Sequence, residues 1–233
     1  MTASSTDIPR PSEPVTTGFR FAPQDSFPVV GGQFYRHGFK RVIDFCVIVM
    51  TAPFTVPFIF LLAVIVALNG HSPFYSQSRI GRGGRVYTMW KLRSMVHDAD
   101  AALEACLAAD PAIRAEWDLT QKLKSDPRIT RFGRILRKSS LDELPQLWNV
   151  FRGDMSLVGP RPMMPSQCSL YPGQAYYRQR PGITGMWQVS ARNDSSFAER
   201  AGFDADYDQQ ISLRTDLALL WATVRVVLHG TGH

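Results

Sequence analysis

The sequence predicts an α/β protein, mainly helical with one small β-hairpin, built beside a membrane-associated apolar helix. Three observations carry this reading. The run from Val42 to Leu68 holds a single acid, Asp44. As a helix, its roughly 27 residues at about 1.5 Å each would reach about 40 Å, enough to cross a bilayer. Two β-prone stretches, Phe74 to Ile80 and Arg85 to Leu92, are joined by Gly81-Arg82-Gly83-Gly84, a hairpin signature. Beyond them the patterns are helical, punctuated by proline and glycine.

The chain divides into a flexible tail (residues 1–37), a membrane helix (38–69) and one domain (70–233). The tail is rich in Pro, Ser and Thr and has too little apolar surface to order alone. No apolar core follows a basic start there, so it does not read as a secretory signal. The balance of 26 Lys+Arg against 20 Asp+Glu, a net charge of +6, favours phosphate-bearing or membrane-surface partners. The three cysteines, Cys46, Cys106 and Cys168, are scattered. That argues against a zinc site or a disulfide framework and leaves oxygen ligands for any metal, hence magnesium or manganese.

In the apolar helix, Pro53 and Pro57 fall near the middle and should bend it. Arg36, Lys40 and Arg41 precede it; Arg79, Arg82 and Arg85 follow it. Basic residues at both ends satisfy the positive-inside rule best when both ends stay cytoplasmic. A helix that enters, bends at Ala52-Pro53 and returns would do this; on physical grounds an ordinary single span weighs equally. The glycines of the hairpin turn match neither a P-loop nor a dinucleotide fingerprint and read as turn chemistry. Lys91 and Arg93 alternate with apolar neighbours and so share a strand face, where they could hold phosphate or simply be solvated.

Residues 97–120, alanine-rich and acidic, read as two helices broken at Pro111. A cationic run follows: Lys122, Lys124, Arg128, Arg131, Arg134, Arg137 and Lys138. Arg131, Arg134 and Arg137 recur every three residues, which sets them along one helix face. That face suits anionic lipid headgroups, or a diphosphate in the segment that follows. Residues 171–194 form a structured loop with Arg180, Trp187 and Arg192 as candidate ligand contacts, although burial is the commoner fate of a lone Trp. Ile211 to Leu228 is too short to span a bilayer and suits a helix packed on the domain or lying at the interface.

The chemistry concentrates in Arg137 to Pro162. Pro145 has no N–H to donate and belongs in the first turn of a helix. Asp142 then falls at or beside the N-cap, where orphan N–H groups and the dipole favour negative charge. Glu143 is adjacent; Arg137, Lys138 and Arg161 flank the pair. Ser140 with Glu143 is equally a capping-box pattern, and an Asp-Glu pair at a helix start is structural more often than catalytic. Carboxylates among cations point to metal-assisted phosphoryl chemistry.

These pieces in order resemble the small monotopic phosphoglycosyl transferases, the bacterial sugar transferases. The motifs are KRVIDF at 40–45, the proline-interrupted helix, KLRSM at 91–95, SLDELPQLWNVFRGDMSLVGPRP at 140–162 and RPGITGMWQVSAR at 180–192. The resemblance implies a monotopic protein of the bacterial cytoplasmic membrane, its helix re-entrant at Ala52 and Pro53, where relatives often have Ser-Pro. Residues 70–233 would be the catalytic domain, on the cytoplasmic face. It implies transfer of hexose-1-phosphate from a UDP-sugar to undecaprenyl phosphate with release of UMP, the product passing to downstream glycosyltransferases of exopolysaccharide synthesis. Asp142 would be the nucleophile and Glu143 a magnesium ligand (manganese as substitute); Arg137 and Arg161, with Lys91, Arg93 and Arg180, would bind phosphate. The softer C-terminal likeness favours galactose or glucose. Two rival classes are a membrane-tethered polyanion binder and a membrane UDP-sugar hydrolase or phosphatase. No helix-turn-helix, zinc or aromatic nucleic-acid motif is present, so nucleic acid is not an expected partner.

Overall fold

In the computed structural model of the protein, residues 34–68, 70, 72–96, 98–120, 123, 126–190 and 197–228 are described. The expected tail, apart from residues 34–37, and Lys122, Lys124 and Arg192 lie outside the described residues. A π-helical turn, Tyr35–Phe39, leads into α1, Lys40–Ala67, a single helical element that contains Pro53 and Pro57. Each proline removes an N–H from the ladder. Thr51 and Thr55 add hydroxyls that bond back to the carbonyls of Val47 and Thr51, a pattern that bends helices. No separate element begins at Ala52–Pro53, however.

The burial of α1 is segmental. Ile48 packs with Met89, Val150 and Met155, whereas Leu62, Ala63 and Val66 pack with Leu92 and Leu136. Between them Val49, Met50, Phe54, Val56, Phe58, Phe60 and Leu61 are exposed. Both ends of the helix therefore dock on the same domain, and the stretch between them touches little protein.

The hairpin forms as its β-prone stretches and glycine-rich turn predict. Strand β1, Phe74–Ile80, pairs antiparallel with β2, Val86–Leu92, in the register Phe74↔Leu92 to Ile80↔Val86. Gly83 and Gly84 supply the positive φ values of the turn, 69° and 78°. Because β2 ends at Leu92, Arg93 has left the strand, and it does not share an extended strand face with Lys91. Next come α2, Ala99–Ala109, and α3, Pro111–Thr120, divided at the proline as expected. Helix α4, Arg131–Lys138, is capped by Thr130, whose hydroxyl accepts from the Gly133 N–H at 2.9 Å. Gly133 carries no side chain because a Cβ there would meet the Ser94 carbonyl oxygen at 1.9 Å.

Helix α5, Gln146–Arg152, leads to β3, Ser156–Val158, which pairs in parallel with β4, Gly182–Thr184. This second sheet is not evident in the sequence. It depends on Gly182, whose Cβ would stand 2.1 Å from the Gly159 nitrogen. Short helices α6, Ala175–Arg178, and α7, Met186–Val189, flank β4. The chain closes with α8, Arg200–Gln210, and α9, Leu213–Leu228. Asp216, near the start of α9, accepts from the Tyr35 hydroxyl at 2.7 Å and the Tyr207 hydroxyl at 2.6 Å, and pairs with Lys40. One buried carboxylate thus ties α9 and α8 to the foot of α1.

Candidate active site

Asp142 and Glu143 occupy a 3-10 turn, Leu141–Glu143, wedged between α4 and α5. The chain enters it through Ser140, the only non-glycine residue with positive φ among the described residues, at 56°. Left-handed backbone costs a residue with a Cβ about 1 kcal/mol or more and is held only where its surroundings impose it. The N-cap expectation needs correcting here. Pro145 is the N-cap residue of α5 and not part of its first turn, and Asp142 stands three residues before it. Ser140 makes no capping hydrogen bond, so the capping box does not form. A turn folded into the domain, not a free helix N-terminus, surrounds the pair.

Lys91, at the end of β2, reaches this turn. Its Nζ donates to Glu143 Oε1 at 2.6 Å and lies 3.8 Å from Asp142 Oδ2. Asp142 is only 7% exposed, and burial pushes its carboxyl above the usual range, with the neighbouring Glu143 adding to the rise and Lys91 and Arg137 opposing it. For Glu143 burial works the same way, but Lys91, Arg161 and Arg79 outweigh it and hold that carboxyl below its ordinary value. Adjacent carboxylates pushed in opposite directions suit different tasks.

The remaining cations divide into two groups. Arg137 Nε donates to Ser94 Oγ at 2.8 Å, which holds its side chain beside Asp142. Arg161, exposed between its two prolines, lies over the Trp187 ring at 5.6 Å. Half-buried Trp187 is thus a platform, with Arg200 also over its ring at 5.2 Å, and is not a core side chain. Arg93 instead donates to the carbonyls of Ser72 and Phe74 and closes the base of the hairpin. Arg180 donates from Nε to the Gly153 carbonyl at 2.9 Å and faces Arg41, Asp44 and Arg82 in a cleft that the carboxylates do not line. Ala52 and Pro53 lie in the exposed middle of α1.

Two further arginines belong to the site's surroundings. Arg79 donates to the Pro162 carbonyl at 3.2 Å and to Gln77 Oε1 at 2.6 Å; its buried Nε has no partner among the described residues. Arg200 donates to the Arg161 carbonyl at 2.7 Å. In sequence, a lone arginine in a strand or on a helix reads as solvated. The one available signal was that Arg79 alternates with Gln77 on one strand face.

Two carboxylates face four cations, Lys91, Arg137, Arg161 and Arg79, leaving a positive surplus suited to a diphosphate. Among the described residues no group of three His, Cys, Asp or Glu gathers. Two carboxylates completed by phosphate oxygens and water nevertheless fit magnesium, which is commonly held in that way.

The profile of the bacterial sugar transferase family matches residues 35–230. The chain is 47% identical over 195 residues to the UDP-galactose-lipid carrier transferase of Erwinia amylovora, covering 83% of this chain and 41% of that protein. It is 40% identical over 221 residues to the exopolysaccharide production protein ExoY of Sinorhizobium fredii, covering 93% and 96%. With the undecaprenyl-phosphate galactose phosphotransferase of Salmonella typhimurium it shares 44% over 195 residues, again 83% of this chain and 41% of the relative. The chain thus spans about two fifths of two of these relatives and nearly all of the third. It belongs to the bacterial sugar transferase family.

Proposed function

We propose that the protein transfers hexose-1-phosphate, galactose or glucose, from a UDP-sugar to undecaprenyl phosphate and releases UMP, the first membrane step of exopolysaccharide synthesis. The observation that carries this is the Asp142–Lys91–Glu143 arrangement, a buried carboxylate beside a second carboxylate with one lysine within ion-pair distance of both. Asp142 attacks the phosphorus that bears the sugar. A new Asp142 oxygen–phosphorus bond forms, the bond to the bridging diphosphate oxygen breaks, and UMP departs with that oxygen. An oxygen of undecaprenyl phosphate then attacks the same phosphorus and restores the carboxylate. Splitting the transfer in two lets a soluble donor and a membrane-bound acceptor use the site in turn.

Lys91, Arg137 and Arg161 sit where they can meet negative charge on the donor phosphates, with donors already oriented by Ser94 and Trp187. A magnesium ion, with manganese as substitute, held by Glu143 and the donor's phosphates, would supply charge neutralisation at those oxygens. Lys91 would also keep Asp142 ionised enough to act as a nucleophile despite its burial.

The proposed membrane placement rests on α1. Its two docked ends and exposed apolar middle support a helix that dips into one leaflet and returns, and the basic residues at both of its ends favour the cytoplasmic face for the domain. Leu213, Leu217, Trp221 and Val224 form an exposed apolar stripe on α9, and Trp148 stacks on Phe151 and Phe151 on Phe45, giving surfaces suited to the interface.

The test of the reaction is transfer of labelled hexose phosphate from UDP-galactose or UDP-glucose to extractable undecaprenyl phosphate. Transfer by wild type and none by Asp142→Asn supports the reading; free sugar phosphate without lipid product would make the protein a hydrolase. For topology, Gly38→Cys and Ser72→Cys in a background with Cys46, Cys106 and Cys168 replaced should both label from the cytoplasmic side only.

A further inference from the structure

The basic residues noted at both ends of the apolar run find a use that the transfer reaction does not require. A small solvent-open cleft lies at the N-terminal foot of α1, where the hairpin turn and the end of α6 converge on it. Arg36, Arg82, Arg178 and Arg180 line it, with Lys40 and Arg41 behind them. We propose that Arg36, Arg82, Arg178 and Arg180 form a second phosphate-binding site, apart from the carboxylate pair, that takes a phosphate mono- or diester.

The charges do not cancel internally. Arg36 and Arg178 share one carboxylate, Asp208, to which Arg178 donates from Nε at 2.8 Å and from Nη2 at 2.6 Å. Lys40 is matched by Asp216. Asp44 is committed to the Ser156 hydroxyl at 2.7 Å and the Leu157 N–H. Among the described residues the hydrogen bonds of Arg41 and Arg180 go to carbonyls, Arg41 to those of Val150 and Phe151 and Arg180 to that of Gly153, with Asp44 the one carboxylate that acts on Arg180. Arg82, on the exposed turn, has no hydrogen-bond or ion-pair partner among the described residues. Six cations against three carboxylates leave three positive charges around one opening. Burial and then the neighbouring guanidinia of Arg178 and Arg82 lower the pKa of Arg36, and Arg180 is pressed likewise by Arg82 and Arg41. Guanidinia crowded against their own repulsion are the arrangement that a dianion relieves, and their planar forks suit phosphate oxygens.

The cleft is separate from the carboxylate pair. Arg82 sits at the hairpin turn and Lys91 near the opposite end of β2. The five residue-to-residue steps from Val86 to Lys91 span about 17 Å at about 3.3 Å each. None of the charged groups that act on Asp142 or Glu143 lines the cleft. Its position beside exposed Phe39, Val42 and Phe45 puts a lipid headgroup within reach, while its open side admits a soluble phosphate ester.

The test uses the whole protein and two probes. Inorganic phosphate is titrated into detergent-solubilised protein with thermal stabilisation as readout. Separately, protein released from nanodiscs of phosphatidylcholine with phosphatidylglycerol is examined by native mass spectrometry for retained phosphatidylglycerol. Each is run on wild type, Lys91→Met and Arg82→Gln, the last removing charge at an exposed side chain that supports nothing else. The site predicts binding that survives Lys91→Met and weakens about tenfold or more in Arg82→Gln, the scale of losing one hydrogen bond to a charged group. A response to phosphate alone names a soluble ester, and retained phosphatidylglycerol alone names a headgroup. Equal binding by wild type and Arg82→Gln in both arms, or no binding in either, overturns the proposal.

Discussion

Replacing Asn149 with leucine should destabilise the protein and weaken its chemistry through one identifiable contact. Asn149 is fully buried on α5, and its side-chain amide bonds the edge of β2 as a neighbouring strand would. Its Oδ1 accepts from the Trp90 N–H at 3.1 Å, and its Nδ2 donates to the Thr88 carbonyl at 2.7 Å. Leucine keeps the bulk and removes both bonds to β2, together with a longer one from Nδ2 to Asp154 Oδ2 at 3.4 Å. A buried polar group left unpaired costs about 1–3 kcal/mol. Thr88 is exposed, so water recovers part of the loss at its carbonyl, whereas half-buried Trp90 recovers less. The total is about 2–4 kcal/mol, and at about 2–4 °C per kcal/mol for a domain of this size Tm should fall by about 4–16 °C. Asn149→Ala should fall further, by the cost of the cavity. Thermal unfolding in detergent, followed by tryptophan fluorescence, reads both. Because Trp90 precedes Lys91, UMP release should drop by more than the loss of folded protein. An Asn149→Leu protein within about 1 °C of wild type would refute the idea that this amide holds β2 to α5.

Lys91→Met should lower the rate of UMP release by about 10²–10³, the scale of removing one preoriented donor, with Lys91→Arg between the two; a loss under about fivefold would show that the ammonium is dispensable. Asp204, buried and bonded by the Tyr171 hydroxyl at 2.7 Å, is raised from 3.8 to about 6, first by burial. The folded state therefore binds this proton more tightly than the unfolded chain, so its stabilising contribution is full below about pH 4 and is lost as pH rises through 6. Asp204→Asn should gain on the order of 2–3 kcal/mol over wild type at pH 8 and nothing at pH 4, read as the difference in Tm across pH; a difference that does not vary with pH would contradict it. Gly182→Ala should cost about 3 kcal/mol or more, since backbone atoms on both sides leave its Cβ no escape; normal expression and Tm would show that β3 and β4 can part.

The parts of the fold that were legible are those with a local signal. The hairpin announced itself through two β-prone stretches and a four-residue turn, and α2 and α3 through the break at Pro111. The β3–β4 pair was not legible, because strands of three residues have no period and their pairing rests on the absence of side chains at Gly159 and Gly182. The site was legible as a list of residue types before it was legible as an arrangement. Lys91 lies 52 residues before Glu143, and no spacing rule joins them; only the order of motifs suggested that they meet. Arg180 illustrates the converse. It shares a motif with Trp187, yet the two lie on either side of β4, Arg180 facing Arg41 and Arg82 while Trp187 faces Arg161. Pro145 misled because a proline can precede a helix as readily as open it, and the 3-10 turn before it is set by packing between α4 and α5.

Whether Asp142 takes the sugar phosphate onto itself is decided without the lipid: purified protein with magnesium and UDP-galactose, or in parallel UDP-glucose, is examined by intact mass beside Asp142→Asn. A covalent route gives a hexose-phosphate adduct on the wild type alone, together with released UMP. Release of UMP only once undecaprenyl phosphate is added, with no adduct under any condition, would contradict it and leave Asp142 as a supporting group in direct transfer.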